Sequence, residues 1–142
     1  VGTCHPSPSH PANPVPGVNG LKLRDGALFY SNTQTSTLHR ISLDADRRPA
    51  GEPALVAAPV NFDDFAFGPD GAPYGTIHVF NNVIRIAPAA GRVAVAFETD
   101  VLGSTAADTA TLYVLGNGGL TLPPPDGVQP ATVTALRIDQ AP

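Results

Sequence analysis

A chain of 142 residues has the length of one ordinary domain, and its 42% apolar and 14% charged residues carry a net charge of −4. That balance suits neither a disordered acidic tail nor a basic nucleic-acid binder, so no nucleic-acid partner is expected. No apolar run approaches the ~18 residues of a membrane-spanning helix, because Gly, Pro, Asp or Arg interrupts every one, and no membrane partner is expected either.

Residues 1–18 hold Pro6, Pro8, Pro11, Pro14 and Pro16, each of which fixes φ and removes a backbone donor. This stretch reads as an extended leader or linker. Cys4 is the sole cysteine, so no intrachain disulfide forms. With His5 and His10 it supplies too few ligands to close a tetrahedral metal site. The chain starts at Val1 and contains no Met, so it is expected to be processed or truncated. A secretory signal would then be out of view, which leaves localisation open, secretion included.

Residues 19–142 form the predicted ordered region. Short β-branched and aromatic runs follow one another: LKLR, ALFYSN, TLHRISL and ALVAA, with Asp25-Gly26 as a two-residue hairpin turn between the first two. No segment keeps a helical period, and Gly or Pro recurs too often to allow one. The class is all-β.

An internal repeat decides among all-β architectures. Asp25-Gly26-Ala27 returns as Asp70-Gly71-Ala72, 45 residues on. Leu38-His39-Arg40-Ile41 returns as Val83-Ile84-Arg85-Ile86, and again as Ala135-Leu136-Arg137-Ile138. A period near 45 residues with four short strands per unit is that of a β-propeller blade, whereas a sandwich has no reason to repeat such a pattern. The predicted blades run from residue 21 to 58, 64 to 98 and 104 to 139. GNGG at 116–119 reads as a turn, and the Pro-rich stretch after it as an insertion at the blade surface. About three four-stranded blades cannot close a ring, since propellers need about four to eight. A second half-propeller is therefore expected, from a missing N-terminal segment or a homodimer partner.

Polar residues where the innermost strand of each blade begins point at a common axis. In the first blade that residue is Asn19, and in the second it is Asp63, at equivalent places. An amide oxygen and a carboxylate suit a hard cation such as calcium. The alternative is that both only cap turns. Asp64 and Asn32 are candidate additional ligands or substrate contacts, and Ser104, Thr105 and Asn117 join them as candidate substrate-binding residues. No GxSxG elbow is present, so a serine-hydrolase triad is not expected. His39 and His78 read as packing or surface residues. Arg40, Arg85 and Arg137 read as blade-to-blade structural pairs, with Asp44 or Asp139 as candidate partners.

The string GVNGLKLRDGALFYSN, followed by DDFAFGPDGAPYG, GSTA and LYVLGNGG, resembles the regucalcin/gluconolactonase-like six-bladed β-propellers, most closely a fungal branch associated with secondary metabolism. The likeness runs from about Pro14 to Asp139 and corresponds to the C-terminal three blades. It implies that Asn19 is a metal-binding Asn and that Asp63 is a metal-binding carboxylate and the proposed general base of lactone hydrolysis. The family's Glu ligand and its substrate-contacting Arg and Asn lie in the half not represented here.

Three functions remain open. The first is a lactonase or ester hydrolase acting on a small molecule, with a divalent metal, calcium, in the central channel. The second is a metal-independent cyclase of the hetero-Diels–Alder type, in which pocket residues such as Tyr30, Phe67 and Asn32 orient the substrate. The third is a non-catalytic binding half-propeller.

Overall fold

The computed structural model of the chain describes residues 16–77, 82–86, 93–98, 105–108, 111–116, 118–119 and 123–138. Most of the proline-rich leader, with Cys4, His5 and His10, lies outside them, as do His78, Ser104, Asn117 and Asp139. Among the described residues every regular element is a strand: β1 (Val18–Arg24), β2 (Ala27–Asn32), β3 (Thr37–Ser42), β4 (Ala54–Ala57), β5 (Phe62–Phe67), β6 (Pro73–Ile77), β7 (Asn82–Ile86), β8 (Val93–Glu98), β9 (Thr105–Asp108), β10 (Thr111–Gly116) and β11 (Thr132–Arg137). They form three meanders, β1-β2-β3-β4, β5-β6-β7-β8 and β9-β10-β11, here called sheets 1, 2 and 3. Each sheet coincides with one copy of the sequence repeat.

Turn chemistry sets the first hairpin. Asp25 and Gly26 take φ of 48° and 67°, the paired left-handed conformation whose twist matches that of the flanking strands. In the second copy the turn is one residue longer. Gly71 N–H donates to the Gly68 carbonyl (3.0 Å), Gly68 N–H donates to the Ala72 carbonyl (2.9 Å), and Gly71 alone takes positive φ, 79°. That extra residue accounts for the one-position slip between the two copies.

Strand pairing defines two faces per sheet, because cross-strand partners project to the same side. In sheet 1, Leu21 pairs with Tyr30 and Tyr30 with His39, while Leu23 pairs with Leu28 and Leu28 with Ile41. We call this the leading face. The opposite, trailing face carries Ala27, Ser31 and Leu38, all at most 1% exposed. In sheet 3 the repeat places Leu112, Val114 and Leu136 on the leading face, and Tyr113, Leu115 and Val133 on the trailing one.

The chain divides into two compact units at the Phe62–Asp63 bond. In the first, Tyr30, Leu38, Ile41, Ala57, Val60 and Phe62 are buried. In the second, one core joins Ala66, Ala72, Tyr74 and Val83 of sheet 2 to Leu112 and Val114 of sheet 3, with Leu136 and Ile138 packed at its margin. The trailing face of sheet 2 thus covers the leading face of sheet 3. Each fully buried Leu or Val there contributes roughly 1.5–3 kcal/mol.

Arg85 finds its partner within its own sheet rather than across two blades. Arg85 reaches Asp70 Oδ2 through Nη2 (2.6 Å) and Nε (2.7 Å), while Tyr74 OH donates to the same oxygen (3.3 Å) and Ala72 N–H to Oδ1 (3.1 Å). Burial pushes the Asp70 carboxyl up, but these hydrogen bonds and the Arg85 charge outweigh it and hold the group below its ordinary value. Asp44, expected to receive an arginine, instead accepts the backbone N–H groups of Asp46 (2.9 Å) and Arg48 (2.8 Å). Its short side chain is spent on folding its own turn.

After β10, Gly118 and Gly119 make the expected turn, with φ of 68° and 77°. The chain then returns, and Gln129 N–H donates to the Gly118 carbonyl (2.8 Å), tying the two ends of the excursion. Residues 123–126 are exposed.

Candidate functional site

Asn19 lies in a β-bulge. Val18 faces Asn32 and Leu21 faces Tyr30, so Asn19 and Gly20 together oppose Ser31 alone. A bulge leaves one backbone amide without its ladder partner and re-aims a neighbouring side chain. The Ser31 hydroxyl, wholly buried, accepts the Gly20 N–H at 2.8 Å. Asn19 Nδ2 donates to Thr33 Oγ1 (3.3 Å), and Thr33 Oγ1 donates onward to the Phe62 carbonyl (3.0 Å). The turn bearing Thr33 is itself held on the start of β1, with Thr33 N–H donating to the Gly17 carbonyl and Gln34 N–H to that of Pro16, both at 3.0 Å. The exposed Asn19 carboxamide thus joins a hydrogen-bond relay that runs through Thr33 to the Phe62 carbonyl.

Asp63 and Asp64 are both half-buried near the start of β5. Thr76, wholly buried in β6, donates its hydroxyl to the Asp64 carbonyl (3.3 Å). Ser31 and Thr76 occupy the same repeat position, and each reaches the third residue of the first strand in its sheet, Gly20 and Asp64 respectively. Asn19 and Asp63 are correspondingly the second residues of β1 and β5. The equivalence inferred from sequence thus has a hydrogen-bond counterpart in each sheet.

Asn32 ends β2, where its Oδ1 accepts the Thr35 N–H (3.1 Å) and shapes the following turn. Thr105 opens β9 opposite Val114. His39 stacks on Tyr30 with centroids 5.2 Å apart and an interplanar angle of 12°, and its Nε2 lies 3.0 Å from Thr37 Oγ1. It serves packing, as expected. Burial raises the Tyr30 phenol above its ordinary value. Among the described residues no cluster of three or more His, Cys, Asp or Glu forms. The sequence reading missed Ser31, Thr33 and Thr76. A readable signal for the first two was the polar run Ser31-Asn32-Thr33 directly after an apolar strand.

Asn19 and Asp63 each offer a hard oxygen donor, an amide and a carboxylate respectively, the donor type that suits calcium.

No family model and no curated protein sequence matches the chain. Among solved structures it is similar to regucalcin, a calcium-binding protein from Agrobacterium tumefaciens, with a TM-score of 0.66 and 17% identity over 86% of this chain and 46% of that one. It is also similar to a luciferin-regenerating enzyme, with a TM-score of 0.63 and 15% identity over 84% and 44%. The fold is that of a β-propeller. A nidogen/laminin complex is a further propeller-like neighbour, with a TM-score of 0.58 and 17% identity over 73% of this chain. This propeller segment spans 41% to 46% of the length of those chains.

Proposed function

We propose that the chain is the C-terminal three-blade portion of a regucalcin/gluconolactonase-like propeller of the fungal secondary-metabolism type, acting as a lactonase or ester hydrolase on a small molecule. Asn19 and Asp63 are its calcium ligands. The observation that carries this reading is the matched placement of the two residues, each second in its first strand and each beside a buried hydroxyl, Ser31 or Thr76, that holds the neighbouring backbone. A bound calcium ion supplies Lewis-acid polarisation of a lactone carbonyl. Asp63 takes a proton from water as the oxygen attacks the carbonyl carbon, and returns it to the ring oxygen as the C–O bond breaks, giving the hydroxy acid. Asn32, Asp64, Ser104, Thr105 and Asn117 are the proposed substrate contacts. The remaining ligands and substrate contacts come from the second half-propeller.

Calcium titration with thermal unfolding tests the metal. Calcium is expected to raise the midpoint, and Asp63→Asn and Asn19→Ala to abolish the rise. Hydrolysis of a simple aliphatic lactone is expected to require calcium and to disappear in Asp63→Asn. Turnover indifferent to chelator but lost on changing Tyr30 or Phe67 would replace this reading with the metal-independent cyclase. Absence of both metal binding and turnover in the assembled ring would leave a binding module.

A further inference from the structure

Asn19 is followed by Gly20, and an Asn-Gly pair has a covalent chemistry of its own. It cyclises more readily than other Asn-containing pairs, because glycine sets no side chain in the way of ring closure. The glycine nitrogen attacks the Asn Cγ, the N–Cγ bond forms as the Cγ–Nδ2 bond breaks, and the glycine proton leaves with Nδ2 as ammonia. Water then opens the succinimide ring at either carbonyl and leaves an aspartyl or an isoaspartyl residue. In this chain the electrophile is open to solvent, since Asn19 is exposed. The nucleophile is withheld. Gly20 is buried, and its N–H donates to the wholly buried Ser31 hydroxyl at 2.8 Å. Cyclisation needs that nitrogen deprotonated and turned toward the carboxamide, and both steps require the bond to Ser31 to break. The bond from Asn19 Nδ2 to Thr33 Oγ1, at 3.3 Å, adds a weaker and exposed restraint on the side chain.

We infer that Asn19 is a masked deamidation site and that the Ser31 hydroxyl is the mask. The β-bulge that takes Gly20 out of the ladder also gives its amide to a side chain, so one serine controls whether the nitrogen can react. Opening of the bulge releases the reaction. Its products place a negative charge where the amide had none, and the isoaspartyl form also lengthens the main chain by one carbon at the bulge. Every group involved lies in the first compact unit. The inference does not depend on calcium or on lactone chemistry.

The test is peptide mapping after incubation of the whole chain in mildly alkaline buffer, with the conversion of amide to acid at position 19 read by mass and the isoaspartyl product by its separate elution. Wild type is expected to convert at least about tenfold more slowly when folded than in urea. Ser31→Ala is expected to speed the folded-state reaction by about tenfold, the loss of one buried hydrogen bond. Ser31→Thr keeps the hydroxyl that Thr76 supplies at the same repeat position in sheet 2, and is expected to stay near the wild-type rate. Gly26→Ala weakens the same sheet without touching the bulge and is expected to leave the rate unchanged. Equal rates for folded and urea-treated wild type would overturn the inference, as would a Ser31→Ala rate no faster than wild type. Acceleration in Gly26→Ala to match Ser31→Ala would also overturn it, in favour of protection by global stability. Amide hydrogen exchange in the wild type needs no variant to fold. Slow exchange at Gly20 supports the mask, and exchange at the rate of an unprotected amide overturns it.

Discussion

Ser31 and Thr76 do the same work in two sheets, each placing a buried hydroxyl against the backbone next to a candidate ligand. Ser31→Ala leaves the Gly20 N–H without its buried acceptor and is expected to cost about 1–3 kcal/mol, measured as a lower urea midpoint. Asp70→Asn is expected to cost about 1 kcal/mol, the half-exposed setting of Arg85 screening the pair. Because the folded Asp70 is held below its ordinary value, its contribution is complete above about pH 4. It fades as pH falls through the folded value, so the stability gap between wild type and Asp70→Asn closes in acid. A structural role for Arg85 was legible in the sequence repeat, but its partner was not, and the pair forms within one sheet rather than between blades. Asp70 is 15 positions from Arg85, and only the hairpin register brings turn and strand together.

At the scale of the element, the DGA turns and the LxRI-like strands were enough to mark out three sheets, because hairpin turns demand particular residues and repeats copy them. The bulge at Asn19-Gly20 was hidden, since a two-against-one register exists only once β1 and β2 are paired. Two glycines separate backbone cost from steric cost. An added Cβ at Gly26 meets nothing within 4 Å, so Gly26→Ala pays only for its left-handed φ of 67°, about 1 kcal/mol. At Gly118 the same Cβ collides with the Gln129 carbonyl, and Gly118→Ala is expected to lose several times more. Chemical denaturation of the two variants side by side measures the difference.

For the whole molecule, the exposed large apolar side chains among the described residues gather mainly on one face of sheet 1 and one face of sheet 3. Blade number followed from repeat counting, but which side chains each sheet exposes depends on parity within the sheet and required the pairing. The clasp from Gln129 to Gly118 leaves the loop beyond it anchored at both ends. Foreign sequence spliced between Pro124 and Asp126, such as an epitope or a fluorophore-accepting tag, would therefore ride outside the β-framework, a ready handle for labelling the protein.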